Sequence, residues 1–215
     1  MPEQKHTFEQ TISSEEELRE TLGYPSQRAA EKVIDHIDEH CASLIAHSPF
    51  LAIASADGDG NMDISPKGDP EGFVKVLDEK TLVIPDRLGN RRGDTFSNIL
   101  INPKVGLYFL APGYRETLRV SGTAKIVRDA TLLDSMAVNG KIPALALVIS
   151  VEKAFFHCAK CIIRSGLWDH EKWPDVSDIP SLGKILIDHA NLDETKETAE
   201  AVQQSIDEAY INNVY

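Results

Sequence analysis

Between residues 62 and 95 every strand-like run is stopped by proline and charge, and that punctuation constrains the fold more than any other feature. Met62-Asp63-Ile64-Ser65 is a short run closed by Pro66-Lys67-Gly68, which leaves a cation where a strand stops. Thr81-Leu82-Val83-Ile84 is β-branched and ends at Pro85-Asp86, because proline cannot donate to a ladder. A turn, Arg87-Leu88-Gly89-Asn90, leads to two adjacent arginines and a helical pattern from about Arg91 to Ile101, ended by Pro103. Asn90 is the expected N-cap. Arg91 and Arg92 would then lie at a helix N-terminus, where free N–H groups and the macrodipole favour an anion. Arginine adds a bidentate fork suited to phosphate, and Lys67 a further charge. The stretch reads as a phosphate site beside strand ends, against the plainer reading of solvated turn cations.

The flanking chain supplies strands. Phe50 to Ser55 and Met62 to Ser65 read as a hairpin across Asp57-Gly58-Asp59-Gly60-Asn61. Those alternating oxygens suggest calcium, but the segment lacks the length and terminal glutamate of an EF-hand loop. Gly72 to Leu77 pairs with Thr81 to Ile84, and Val105 to Ala111 with Glu116 to Val127, the latter bent near Gly122. Asp129 to Met136 looks helical and Ala144 to Ile163 strand-like. Three hairpins and a late strand predict a closed or nearly closed antiparallel barrel. Helices flank it. Ser14 and Glu17 stand at capping-box spacing before Gly23. A longer helix is expected from Pro25-Ser26, with an apolar stripe of Val33, Ile34, Ile37, Cys41, Leu44 and Ile45. Ser181 to about Tyr210 reads as two helical pieces around Asn191-Leu192-Asp193. The domain organisation expected is an N-terminal helical extension packed on the barrel (1–48), the barrel (49–168) and a C-terminal helical tail (169–215).

Charge narrows the partners. Among 215 residues, 22 Lys and Arg stand against 34 Asp and Glu, a net charge of −12. That balance argues against nucleic acid and against an anionic membrane surface. No run reaches the ~20 apolar residues of a membrane helix, and MPEQKHTFEQ lacks the apolar core of a signal peptide. Three cysteines do not suggest a disulfide scaffold, so a cytoplasmic location is expected.

Other constellations carry less. Cys158-Ala159-Lys160-Cys161 has redox and zinc spacing, but no second pair completes a metal site, and none is expected. Placed in a strand, the two thiols would point to opposite faces and could not easily bridge. His36, His40 and His47 read as partly exposed helix residues rather than ligands. Ser65, His157 and Asp63 could be assembled into a triad, but no G-x-S-x-G elbow surrounds the serine. No Rossmann or P-loop spacing occurs. Trp168 and Trp173 read as packing aromatics or as a stacking surface for a planar ring.

Residues 50 to 127 resemble the pyridoxamine 5′-phosphate oxidase-related family. The resemblance lies in FLAIASADGDGNMDISPKGD, TLVIPDRLGNRRGDTFSNILINPKVGLYFL and ETLRVSGTAKI, in that order and spacing. It implies a mainly β (α+β) fold, an antiparallel split β-barrel of the FMN-binding type with flanking N- and C-terminal helices. It implies FMN as cofactor, a homodimer with FMN at the subunit interface, a small-molecule substrate and flavin-dependent oxidoreductase activity. Arg91, Arg92 and Lys67 would hold the phosphate and ribityl chain, with Asn90 opening the turn. Met62, Asp63, Ile64, Ser65 and Pro66 would line the isoalloxazine from one strand, and Ile84, Pro85 and Asp86 from the next. Thr117 and Arg119 lie on the strand matching the family's xVRVxG pattern. Lys160, Arg164 or Trp168 would close the pocket from the partner, with the HCAK segment on the last barrel strand. Lys67 is also the candidate for stabilising the reduced, anionic flavin. No catalytic acid or base is assigned, because the flavin carries the electron chemistry. The C-terminal sequence lacks the arginine-rich signature of true pyridoxamine phosphate oxidase. A non-catalytic FMN-storage dimer and a split barrel using F420 or haem are the alternatives.

Overall fold

The computed structural model describes residues 6–193 and 197–215. The chain divides into two compact units, Met1–Val33 and Ile34–Tyr215. In the first, α1 (Glu15–Leu22) is capped by Ser14, whose hydroxyl accepts from Glu17 N, while Glu17 accepts from Ser13 N at 2.8 Å. Gly23 ends it at φ 71°. The second helix, α2 (Gln27–Glu31), is short. The long helix expected from Pro25 does not form. In the second unit Ile34 bridges Ala154, and Ile37 N donates to Glu79 O at 2.7 Å. Those sheet contacts keep the backbone out of a helix until Asp38 caps α3 (Glu39–Ala46) through Cys41 N at 2.8 Å. Tertiary pairing wins over helical spacing here.

Seven strands follow: β1 (Phe50–Ala56), β2 (Met62–Gly68), β3 (Lys75–Asp78), β4 (Thr81–Pro85), β5 (Lys104–Leu110), β6 (Thr117–Val127) and β7 (Ala146–His157). Between them lie α4 (Asp94–Ile101) and α5 (Ala130–Asp134); after them come α6 (Lys160–Ser165), α7 (Leu182–His189) and α8 (Ala199–Asn212). All pairings are antiparallel, in the order β2-β1-β5-β6-β7-β4-β3. The three expected hairpins are present, and so are the two helical pieces of the tail. This is the split β-barrel with flanking helices. Among the described residues no helix is long and apolar enough to cross a membrane.

The strands alternate as a half-buried sheet should, Leu51 and Ile53 of β1 meeting Leu107 and Phe109 of β5 in one core. β4 is covered on both faces: Leu82 and Ile84 join that core, and Val83 packs with Leu133 of α5 and with Met136 just after it. A register shift at Ser121/Gly122 bends β6 against β7. Only glycine fits there, because a Cβ would lie 2.0 Å from Ser150 O. The strand expected to run to Ile163 stops at His157, since Ala159 turns into the right-handed region and α6 begins.

β2 and β4 lie far apart in strand order, yet their ends meet. Lys67 Nζ is 3.3 Å from Asp86 Oδ1, and just beyond the strands Arg87 Nε donates to Asp69. The Asp69 side chain is 1% exposed and that of Arg87 15%. Breaking a buried pair from one side strands the other charge, so Asp69→Ala is expected to cost about 3–5 kcal/mol. The more accessible Lys67→Met change should cost about 1 kcal/mol. Equilibrium denaturation of the two variants checks the ranking; equal losses would show that the Asp69–Arg87 contact is not what holds the sheet ends together.

Candidate functional site

Where the sheet ends meet, a cavity of about 870 Å³ opens. The end of β2 supplies Ser65, Pro66 and Lys67; the end of β4 supplies Pro85, Asp86 and Arg87. The loop into α4 supplies Asn90, Arg91 and Arg92, and the first turn of α4 Thr95 and Phe96. A far wall comes from Lys141 to Leu145, and Tyr215 completes the lining.

The loop differs from its expected form. Asn90 does not cap the helix; its side-chain oxygen accepts from Arg92 N at 3.0 Å, an Asx turn. Arg91 takes φ 59° and Gly93 φ 71°, so neither belongs to a helix, and α4 starts only at Asp94. The N-cap is Gly93, with no side-chain hydrogen bond. First-turn N–H groups of α4 therefore lack a side-chain cap, which suits an anion. Left-handed backbone at a non-glycine costs about 1–2 kcal/mol, and strain of this kind concentrates where a side chain is held for a task.

Arg91 has no ion-pair partner among the described residues. Arg92 Nε lies 2.7 Å from Asp94 Oδ2, and that carboxylate raises the guanidinium pKa. Lys67 is shared between Asp86 and the Phe96 ring, 5.4 Å from its centroid. Beneath the loop, Thr95 Oγ1 lies 3.1 Å from Asp63 Oδ2 and 2.9 Å from Ser65 Oγ, and Ser65 donates to Asp63 at 3.0 Å. That network pins the first turn of α4 to β2.

Eight residues singled out from sequence line the cavity: Ser65, Pro66, Lys67, Pro85, Asp86, Asn90, Arg91 and Arg92. The others lie elsewhere. Met62 and Ile64 are exposed on edge strand β2, Asp63 sits in the network below, and Ile84 is in the core. Thr117 is buried opposite His157, and Arg119 lies over the Phe155 ring at 5.7 Å. Lys160 and Arg164 are on α6, beyond the other end of β7, and Trp168 Nε1 donates to Tyr114 O at 2.8 Å.

Sequence reasoning missed Arg87, Thr95, Lys141 and Tyr215. Asn139-Gly140 was the available signal for Lys141: both residues take positive φ and close a tight Val138–Lys141 turn. Asp86 N donates to Leu145 O at 2.9 Å and ties that wall to β4. Tyr215 Oη donates to Asp69 at 2.7 Å, which together with burial raises the phenol pKa. Its ring faces the Arg87 guanidinium at 5.7 Å.

A sequence model of the pyridoxamine 5′-phosphate oxidase family matches residues 37–158. Among solved structures, HupZ of Group A Streptococcus is similar at 22% identity and TM-score 0.47, covering 57% of this chain and 95% of that one. An FMN-binding protein from Syntrophomonas wolfei is similar at 15% identity and TM-score 0.44, over 54% and 82% of the two chains. HutZ, the heme storage protein of Vibrio cholerae, is similar at 12% identity and TM-score 0.42, over 57% and 94%. No curated protein matches the chain.

Asp94 competes with any bound anion for Arg92. Asp94→Asn should therefore tighten inorganic phosphate binding by about three- to tenfold while lowering stability by less than ~1 kcal/mol. Titration calorimetry with phosphate checks it; unchanged or weaker binding would mean that Arg92 does not face the anion.

Proposed function

The chain belongs to the pyridoxamine 5′-phosphate oxidase family, matched over residues 37–158, and from that premise we propose that it binds FMN in this cavity and acts as a flavin-dependent oxidoreductase on a small molecule. The observation that carries the reading is Arg91, held at φ 59° with no ion-pair partner among the described residues, beside a helix start without a side-chain cap. The residues present fit the group. A volume of about 870 Å³ lies within the range of cofactor pockets. Arg91, Arg92 and the first-turn N–H groups of α4 suit a phosphate, and Pro66, Pro85 and Pro143 give apolar wall for a planar ring.

FMN, when bound, supplies electron and hydride transfer. The chain's own residues hold and orient it. Lys67 is the strand-borne cation proposed to stabilise negative charge on the reduced cofactor, at the strength its Asp86 partner leaves it. Among the described residues the cavity wall offers no histidine, cysteine or methionine, and its tyrosine already donates to Asp69, so the donor set suits FMN better than haem iron. Both carboxylates of the wall, Asp86 and Asp94, are in ion pairs. The second reading is a dimer that binds FMN without catalysis.

The visible absorption spectrum, with mass analysis of cofactor released on denaturation, is the test. A flavin spectrum with close to one FMN per chain is expected. Arg91→Ala with Arg92→Ala should abolish retention, since a hydrogen bond to a charged group contributes about 1.5–3 kcal/mol and the double change removes at least two. A colourless protein that ignores added FMN would overturn the reading. Bound flavin that NADH or NADPH reduces supports the enzyme; flavin inert to reductants and acceptors supports the non-catalytic dimer.

A homodimer with FMN at the interface is part of the proposal. Its support is exposed apolar surface: Met62 and Ile64 on edge strand β2 are 67% and 69% exposed, and Leu100 and Ile101 at the end of α4 are 78% and 67%. Ile64→Lys should yield monomers by sedimentation velocity and lower FMN retention together. A dimer unaffected by this change would move the interface elsewhere.

A further inference from the structure

Cys158 and Cys161 do not share a strand. β7 ends at His157, Ala159 lies at φ −67° and ψ −8°, and Lys160 opens α6. With both intervening residues in the right-handed region, the two Cα atoms are brought within the ~7 Å of a tight turn, inside the span a disulfide bridges. Residues three apart on a strand face opposite ways, but no strand joins these two thiols. Cys158 is exposed and Cys161 half-buried, and both are free thiols. The third cysteine, Cys41, is sealed in the core at 1% exposure. Burial, more than its Asp38 neighbour, pushes that thiol up to about 12. The chain thus segregates its thiols into one inert residue and one accessible pair.

We propose that Cys158 and Cys161 form a reversible dithiol–disulfide site that exchanges with small thiol–disulfide couples of the glutathione class. Access decides which sulfur acts first. The Cys158 thiolate attacks one sulfur of a small disulfide, forming a mixed disulfide and expelling a thiolate. The Cys161 sulfur then gives up its proton and attacks Cys158 Sγ, closing the protein disulfide and expelling the second thiolate. The protein loses two electrons and two protons; one small disulfide becomes two thiols. A bridge over two residues closes too short a loop to stabilise the fold much, which suits a bond made to be broken.

The site is separate from the cavity. β7 runs from Ala146, paired with Pro85 at the cavity, to His157 beside the cysteines. That is on the order of 35–40 Å of strand, too far for direct exchange with a group in the cavity of the same chain.

The test incubates the whole protein in buffers of graded reduced-to-oxidised glutathione, followed by acid quench, alkylation and peptide mass analysis. The wild type is expected to lose two of its three alkylatable thiols together, with Cys158 linked to Cys161 and Cys41 still reduced. Cys161→Ser should stop at a glutathione adduct on Cys158, and Cys158→Ser should react at least about tenfold more slowly. Three thiols surviving in fully oxidised buffer, glutathione accumulating on both cysteines of the wild type, or Cys158→Ser reacting as fast as wild type would each overturn the proposal.

Discussion

An ion pair closes this sheet. Seven strands in the order β2-β1-β5-β6-β7-β4-β3 could lie open, but Asp69 after β2 meets Arg87 after β4 in almost complete burial. A buried pair is costly to desolvate and repays that cost only when its remaining groups are satisfied. Here they are: the Asp69 carboxylate takes Tyr215 Oη as well, and Arg87 donates a second bond to Met136 O at 2.8 Å. The contact fixes which strand ends stand opposite each other. Lys67 and Asp86 repeat the closure nearer the solvent. Every wall of the cavity is attached to one of these four residues or to the segment beside it.

Closure by charge leaves space that closure by hydrophobic packing would have filled. Past Ser65 and Ile84 the strands carry proline and ionic groups instead of the Leu, Ile and Phe that pack the core. Proline ends the ladder of β4, so the chain leaves the sheet at once and turns over the gap. Asn90, Arg91 and Gly93 make that turn with an Asx bond and two positive φ angles. The product is a loop in which Arg92 pairs with Asp94 while Arg91 has no ion-pair partner among the described residues. The middle of β6 is bent by the bulge at Gly122, where nothing larger fits against Ser150 O. Curvature midway along β6 and ion pairing at the ends of β2 and β4 are the two devices that turn a flat pattern of hairpins into a split barrel.

The hairpins were legible because period-two alternation and turn residues are local signals, and the core of β1, β5 and β6 follows from them directly. Lys67, Arg91 and Arg92 were legible because strand stops concentrate them. What failed was ambiguous locally. Asn90 can cap either a helix or a turn, and only the left-handed Arg91 beside it decides. Ile162 and Ile163 extend the apolar run of β7 with no breaker before them, so the strand reads through into α6; the burial of Ile162 is satisfied as well by a helix. Ile34 and Ile37 keep helical spacing but bond to Ala154 and Glu79, far away in sequence. Tyr215 reaches Asp69 across 146 residues, and no window could have joined them.

Local cations, not the net charge, set the field at the cavity. A chain at −12 repels anions from most of its surface, and charges beyond a Debye length of about 8 Å at physiological salt are screened. An anion arriving at the cavity therefore feels mainly Arg91, Arg92, Lys67 and Lys141, held together by low-dielectric walls that focus their field. Asp86 and Asp94 neutralise two of these cations, which limits the cost of keeping like charges close. The ion pairs are thus part of the site's ground state: a ligand must replace a carboxylate as well as occupy a volume. A group that brings both phosphate and a large planar surface can do this, whereas a simple inorganic anion gains only the charge contacts. On the proposed reading, the paired cations and the volume of the cavity select for phosphate and planar surface together.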